Sequence, residues 1–179
     1  MLLKYRTIVV GLILSVVLFF PACDKTWDDH YNTIDETTQK DKVLSELERI
    51  PEISEFTNAV KQIDTLVHLL NQNRLYTVFA PVNETFNAID PEILNNETFF
   101  TRMVLYHFID GKYKYKDLSY DDIKTFNTKL LSVSFDNNNR VLFDGIATIV
   151  KQDFLSQNGM IQVIDRPLLP KNNLHEYYI

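Results

Sequence analysis

Glycine is nearly missing from this chain of 179 residues, which has four glycines and none between Gly11 and Gly111. A phosphate-binding loop needs glycines so that its backbone can approach the anion, and a nucleophile elbow needs a serine between two glycines. The best candidate for either motif is a strand-to-helix junction at residues 75–86, inside that glycine-free interval. The junction is therefore predicted to be structural, without a catalytic residue.

Cysteine occurs once, at Cys23, so no disulfide can form within the chain. Lys4 and Arg6 precede an uncharged, mostly apolar run of thirteen residues, 8–20, shortly before this cysteine. A helix needs about 20 apolar residues to span a bilayer, so the run is too short for a transmembrane helix. It has the pattern of a secretory signal peptide, which we assign to residues 1–22.

The residues around Cys23 resemble the lipobox of bacterial lipoproteins, in which the cysteine is acylated and becomes the mature N-terminus. Ala22 fits this motif, whereas Phe20 and Pro21 stand where leucine and alanine or serine are usual. The resemblance implies that Cys23 carries palmitate or a similar acyl chain, which anchors the protein to a membrane. The expected location is the bacterial cell envelope, on the outer membrane and exposed outside the periplasm.

Positive charge is also scarce. The first 22 residues contain two of the 18 basic side chains and no acidic one, so the mature chain keeps 16 against 24 acidic ones, a formal charge of −8. Nucleic acid is therefore not an expected partner, because phosphate recognition needs a basic surface. The densest basic run, Lys112, Lys114 and Lys116, is predicted to protect a strand edge.

The two ends of the mature chain are predicted to lie outside the folded domain. Residues 23–40 are polar and are typical of a tether. Asp28, Asp29 and His30 are adjacent on it and cannot surround a metal ion by themselves, so we predict no metal site. Residues 171–179 form a C-terminal tail, and nothing in the sequence indicates a cofactor.

Hydrophobic periodicity predicts an α+β fold for residues 41–170. Apolar residues recur at helical spacing on both sides of Pro51, and a strand at 75–80 leads to a helix with Asn83 as its N-cap. Asn96 is the predicted cap of another helix that runs to about Ile109, with Gly111 as its C-cap. From residue 130 the period becomes two, which predicts strands at 130–135, 141–143 and 146–150 and a last strand after Asn158-Gly159.

Three segments resemble the signatures of the fasciclin domain family. They read T-V-F-A-P-V-N-E-T-F at 77–86, V-L-Y-H-F-I-D-G-K-Y at 104–113 and N-G-M-I-Q-V-I-D-R-P-L-L-P at 158–170. Thr85 stands where the family prefers alanine, and Gln162 where histidine is frequent. The resemblance implies one fasciclin domain at 41–170, a wedge or sandwich of β-strands with several packed helices, of a kind used in adhesion.

The resemblance favours a non-enzymatic, surface-anchored interaction module whose partner is a protein or a glycan. The sequence after Cys23, with its acidic residues and a Trp-Asp-x-His-Tyr stretch, resembles the opening of Bacteroidetes fasciclin lipoproteins. That similarity suggests an alternative function, an accessory glycan-binding subunit of an outer-membrane nutrient-capture system. A hydrolase is the third hypothesis, although no motif supplies a nucleophile and a base.

The predicted site residues are few. His107 lies on an apolar helix face and is expected to be a structural core residue, bonded to Asn83 or to a backbone carbonyl near it. Asp153 and Phe154 occupy the place of an adhesion motif of some animal fasciclin domains, and Tyr106 belongs to the Tyr-His pair of the second signature. These three residues are the predicted partner-binding positions.

Overall fold

The computed structural model describes residues 41–170. The predicted signal peptide, the acylation site Cys23, the polar tether and the C-terminal tail lie outside the described residues. Within them, seven strands form one sheet, and most of the helices precede the sheet or connect its first two strands. This is an α+β architecture with a single fasciclin-like unit.

Helices occupy mainly the first half of the described chain. The α-helices are α1 Val43–Glu48, α2 Ser54–Lys61, α3 Asp64–Leu70, α4 Asn83–Phe86, α5 Pro91–Asn95 and α6 Glu97–Tyr106, and 3-10 turns occur at Pro51–Ile53 and Tyr115–Asp117. The predicted break at Pro51 is confirmed, since this residue opens the first 3-10 turn. A proline is tolerated there because the first N–H of a helix has no intrahelical partner.

The strands are β1 Tyr76–Pro81, β2 Phe108–Asp110, β3 Asp121–Lys124, β4 Leu130–Phe135, β5 Val141–Phe143, β6 Ala147–Leu155 and β7 Gly159–Ile164. They lie in the order β2-β1-β7-β6-β5-β4-β3, with β1 and β7 parallel and the other neighbours antiparallel. The two edge strands approach each other, because Ile109 forms a bridge with Thr125 and the Phe126 N–H donates to the Phe108 carbonyl at 2.9 Å. The sheet therefore curls into a nearly closed barrel, and we call this junction the seam.

The side chains of β1 divide the core into two clusters. Tyr76, Val78 and Ala80 pack against the helices, whereas Phe79 points inside the curled sheet. There its ring lies 4.4 Å from the ring of Phe143, measured between centroids. Because both faces of β1 are buried, its sequence is a continuous apolar run rather than an alternating one.

The start of β7 is tied to the helices through a buried asparagine. The side-chain oxygen of Asn158 accepts a hydrogen bond from the Val43 N–H at 2.8 Å, and its amide donates to the Leu70 carbonyl at 2.9 Å. A Cβ atom on the next residue, Gly159, would lie 3.0 Å from the Tyr76 carbonyl oxygen. This close approach of two backbones explains why the position holds glycine.

Helix α6 is shorter than predicted. Its cap at Asn96 is confirmed, since the Asn96 side chain accepts from the Phe99 N–H at 3.0 Å, but the helix ends at Tyr106 instead of near Ile109. The residues beyond it form β2, because pairing with β1 buries Phe108 and Ile109 completely. Gly111, with φ of +92°, therefore follows a strand and does not cap a helix.

Two other predictions, one about an edge strand and one about the length of β6, differ from the structure. The residues at Lys112, Lys114 and Lys116 lie in an irregular segment and a 3-10 turn instead of a strand, and the edge strand is the following β3. Strand β6 extends to Leu155, well past the predicted end at residue 150, and contains two register shifts. The β4–β5 hairpin and the last strand after Asn158-Gly159 are confirmed.

Candidate functional site

A groove of about 560 Å³ lies on the outside of the seam, where the edges of β2 and β3 separate. This volume is within the range of roughly 300 to 1,000 Å³ that ligand sites occupy. We call it the seam groove. Its walls come from five segments: the end of α3, the loop before β1, α6, the end of β2 with the loop after it, and the end of β3 with the turn that follows. The lining residues are Leu69, Arg74, Leu105, Asp110, Tyr113, Ile123, Lys124, Thr125, Phe126 and Thr128.

One rim of the groove carries an ion pair. The Arg74 guanidinium lies 2.8 Å from the Asp110 carboxylate, and both side chains are more than half exposed. Arg74 stands two residues before β1, and Asp110 is the β2 residue in register with Tyr76. Paired strands therefore hold the two charges side by side, while Lys124 of β3 adds a second positive charge to the groove.

The floor of the groove is apolar and braced from below. The Phe126 ring packs against Phe108 with centroids 5.9 Å apart and planes 28° apart, and it meets the Tyr76 ring edge-on at 5.8 Å. Leu69 and Leu105 are partly buried and pack against the same core cluster. The floor thus consists of side chains whose positions the core fixes.

The β3–β4 turn holds a residue in an unusual backbone conformation. Thr128 has φ of +69°, and a β-branched residue rarely adopts a positive φ. The turn around it is closed by hydrogen bonds: the Thr125 N–H donates to the Lys129 carbonyl, and the Asn127 amide donates to the Arg102 carbonyl of α6. These bonds hold Thr128 at the edge of the groove.

His107 lies outside this groove and is completely buried. Its Nε2 accepts a hydrogen bond from the Leu168 N–H at 2.9 Å, so Nδ1 carries the proton and donates to the Met103 carbonyl at 2.8 Å. Burial lowers the pKa of His107 from 6.5 to about 4, against an opposing effect of the Met103 hydrogen bond. Both ring nitrogens are engaged, which leaves none to take a proton from a substrate.

The partner of His107 is therefore not Asn83, and Asn83 is not the cap of its own helix. Val82 holds the cap position of α4, whereas the Asn83 side-chain oxygen accepts from the Glu55 N–H of α2 at 2.9 Å. The Asn83 amide donates to the Pro51 carbonyl at 2.9 Å. Asn83 is half-buried and links α4 to the start of α2 instead of lying in the core.

Tyr106 is only 1% exposed. We predicted that it binds a partner, but a partner at the surface cannot reach this side chain. Its hydroxyl lies 2.8 Å from the Leu130 carbonyl and 2.9 Å from the Asp144 carboxylate, across from α6. Burial, together with the charge of Asp144, raises the pKa of Tyr106. The phenol therefore stays protonated, and it connects the helix to the β4 end of the sheet.

Asp153 is a half-buried residue in a bulge of β6, with φ of +62°. Its carboxylate accepts from the Tyr115 N–H and from the Gln162 amide, both at 2.8 Å. Gln162, fully buried, also accepts from the Asp153 N–H at 3.0 Å and donates to the Tyr113 carbonyl at 3.2 Å. Gln162, which stands where the closing signature frequently has histidine, is thus the centre of a network that positions the 113–115 segment.

Phe154, the other residue of the predicted pair, faces the helices. It is in register with Ile161 of β7 and packs, partly buried, against the core cluster on the helix side. None of the three predicted partner-binding residues lines the seam groove: Tyr106 is buried in α6, and Asp153 and Phe154 are neighbours in β6. A partner-binding role for Asp153 and Phe154 stays a prediction.

Sequence reasoning missed the groove because its walls come from five separate segments of the chain. Arg74, Asp110 and Lys124 are ordinary surface charges in the sequence, and nothing in their spacing indicates that they meet. The one local signal was the turn at Asn127-Thr128, which lacks the glycine that such a turn favours.

A sequence model of the Fasciclin domain matches residues 51–170, which is more than half of the chain. The protein therefore belongs to the fasciclin domain family. Among solved structures, the FAS1 domain pair of the insect cell adhesion molecule fasciclin I is similar, with a TM-score of 0.58 and 22% identity. That similarity covers 72% of this chain and 51% of the solved domain-pair chain, and at this identity it supports the fold alone.

Two curated relatives are similar in sequence. Protein sll1483 of Synechocystis sp. is 28% identical over 153 residues, which cover 75% of this chain and 83% of that protein. Stabilin-2 of Rattus norvegicus is 30% identical over 107 residues, 55% of this chain and 7% of the much longer stabilin-2.

Among the helices of residues 41–170, none combines the length and the apolar character that crossing a bilayer requires. Nor do these residues include three histidine, cysteine or acidic side chains grouped as a metal ion would need.

Proposed function

We propose that this protein is a non-enzymatic interaction module, held by acyl chains on Cys23 at the outer membrane of a bacterium. It binds a protein or glycan partner at the cell surface through the seam groove. The observation that carries the proposal is the construction of the groove: an apolar floor fixed by the core, beneath a rim of exposed charged side chains. Recognition sites combine these features, because apolar contact supplies affinity and a small number of polar groups fix the orientation of the ligand.

Catalysis is disfavoured by the same geometry. The histidine most suited to acid–base chemistry, His107, is buried with both ring nitrogens hydrogen-bonded and lies away from the groove lining. The lining of the groove has a single carboxylate, Asp110, which is paired with Arg74, and it contains no histidine or second carboxylate that could act as a general acid or base beside it.

Cells that carry the full chain test the interaction. Wild-type cells should adhere to immobilised envelope glycans or to partner cells, and cells with Arg74→Ala should lose that adhesion at equal surface amounts of protein. Arg49→Ala is the matched control, since Arg49, at the end of α1, is a similarly exposed arginine that pairs with Asp41 and Glu46 and does not line the groove. Equal adhesion of all three strains would contradict the groove as the recognition site.

The anchor has its own experiment. Cys23→Ser should release the protein into the medium, because two or three acyl chains at about 0.8 kcal/mol per buried CH₂ hold a protein firmly at a membrane. Metabolic labelling with an alkyne analogue of palmitate should mark the wild type and spare the variant. A wild-type protein that takes up no label would contradict acylation.

A second function, an accessory glycan-binding subunit of an outer-membrane nutrient-capture system, is favoured by the polar rim of the groove. The two functions differ in their neighbours. Mild solubilisation of the outer membrane should recover the intact lipoprotein with a transporter in the second case, and without one if the protein is an adhesion module.

A further inference from the structure

We propose that the seam groove binds a neutral sugar residue of a glycan. The apolar face of the sugar packs on the floor at Phe126, and two neighbouring hydroxyl groups bind the Arg74–Asp110 pair. This inference rests on the proposed function and names the ligand class of the same site. Three features of the groove support it, and two alternative ligand classes fit less well.

The first feature is the ion pair on the rim. A guanidinium group has only donors and a carboxylate only acceptors, whereas a sugar hydroxyl both donates and accepts. Adjacent hydroxyls can therefore satisfy Arg74 and Asp110 at once, one accepting from the guanidinium and the next donating to the carboxylate. Both side chains have room for such a ligand, being 55% and 57% exposed.

The second feature is the fixed backbone position of the two charged residues. Asp110 is in register with Tyr76 across β1 and β2, and the Gly111 N–H donates to the Leu75 carbonyl at 3.0 Å. These contacts hold the backbones of both charged residues at the end of a strand pair. A site with fixed groups loses little conformational entropy on binding, which favours recognition of a weakly binding ligand such as a sugar.

The third feature is the strained residue at the edge of the groove. Thr128 has φ of +69° in a turn whose geometry suits glycine or asparagine. Strained conformations of this kind concentrate at functional sites. A threonine in place of glycine keeps a hydroxyl at the groove, where it can bond a third polar group of the ligand.

An extended peptide added to the β3 edge is the first alternative. β3 has four residues, and three of them, Asp121, Asp122 and Lys124, are exposed charged residues. Charges on a short edge strand are typical of protection against strand addition. The groove lining also includes only two residues of β3, Ile123 and Lys124, so it offers little of this edge to a peptide strand.

A polyanion is the second alternative. The charged groups of the groove are Arg74 and Lys124 against Asp110, and Arg74 is already paired with this carboxylate. A single net positive charge is too little to attract a chain of phosphates or uronates to an acidic protein. A neutral ligand with many hydroxyls remains the class that matches the rim and the floor together.

The experiment uses the full acylated chain in lipid nanodiscs. The probe is an array of immobilised neutral oligosaccharides, uronate oligosaccharides and random decapeptides. We expect binding to a subset of the neutral oligosaccharides, and a loss of at least about tenfold in Arg74→Ala, because a hydrogen bond to a charged group contributes about that factor. Arg49→Ala, the matched surface control, should bind as the wild type does.

Two variants separate the groove from simple stability effects. Thr128→Gly should raise the melting temperature, because glycine adopts positive φ without strain, while binding weakens. Thr128→Ser should keep the binding, because it keeps the hydroxyl. A Thr128→Gly variant that is more stable and binds the sugars unchanged would overturn the role of this residue.

A competing sugar platform is also tested. Tyr120, 71% exposed, packs against Phe135 with ring centroids 4.7 Å apart and planes tilted by 55°, and neither residue lines the seam groove. Loss of sugar binding in Tyr120→Ala but not in Arg74→Ala would move the site there and overturn our proposal.

The failure of this inference and that of the proposed function can be told apart. If only decapeptides or uronates bind, or if no neutral oligosaccharide binds at millimolar concentration, the neutral-sugar proposal is wrong. Adhesion of cells that still depends on Arg74 would in that case leave the interaction module standing with another ligand.

Discussion

β1 and β7, the pair that we call the centre, are in register over six residues with both faces buried, whereas at the seam Ile109 of β2 forms a single bridge with Thr125, the residue after β3. The centre contains no exposed charge, and the seam has three charged side chains around a groove. We expect from this difference a division between the two regions, in which the centre contributes more to stability and the seam is the recognition surface that we propose.

The largest expected effect compares one phenylalanine from each region. Phe79→Ala removes a fully buried ring at the centre, and such substitutions cost about 3 to 5 kcal/mol of unfolding free energy. Phe126→Ala at the seam removes a partly exposed ring and should cost roughly half as much. Urea denaturation of both variants measures the contrast, and equal losses would contradict the division.

The next effect concerns the pH dependence of stability, which the buried His107 should produce. Unfolded histidine titrates near pH 6.5, and folded His107 has its pKa lowered to about 4, so the unfolded state binds the additional proton between these values. The contribution of His107 is complete above pH 6.5, decreases as pH falls, and is gone below about pH 4. The slope is at most about 1.4 kcal/mol per pH unit.

The urea midpoint should therefore fall faster between pH 7 and pH 5 in the wild type than in His107→Gln, which does not titrate. His68→Gln is the control, because His68 is exposed and lies at the surface of α3. Parallel midpoint curves for the wild type and His107→Gln would show that His107 is not protonated on unfolding.

A smaller effect is expected where β6 meets the 113–115 segment. Asp153→Gly keeps a residue that adopts positive φ but removes the two hydrogen bonds that the carboxylate accepts. Loss of such partly buried bonds costs about 1 to 3 kcal/mol. Asp153→Asn, which keeps an acceptor oxygen, should lose less. Thermal melts compare the two, and an unchanged melt for Asp153→Gly would return this residue to the surface role that we first predicted.

The sequence predicted those elements well that have a local signal. The apolar run of β1, the cap at Asn96 and the alternation of β4 follow from local rules that the structure obeys. The first and last fasciclin signatures contain β1 and β7, whereas the second, at 104–113, runs from α6 into β2 at the seam. The family that they indicate is shown by the match to residues 51–170.

The seam was not predictable in the same way. β2 has three residues, of which Phe108 continues the apolar stripe of α6, and only pairing with β1 makes them a strand. β3 reads Asp-Asp-Ile-Lys, a composition with little strand preference. Tertiary contacts decide both elements, and the groove between them depends on those contacts.

The most direct measurement of the central claim is the Arg74→Ala variant of the full chain, assayed together for thermal stability and for adhesion. Exposed ion pairs contribute about 0 to 1 kcal/mol, so the melting temperature should stay close to that of the wild type while adhesion is lost. A variant that adheres normally would contradict recognition at the seam. A variant that melts several degrees lower would instead show that the seam supports the fold as the centre does.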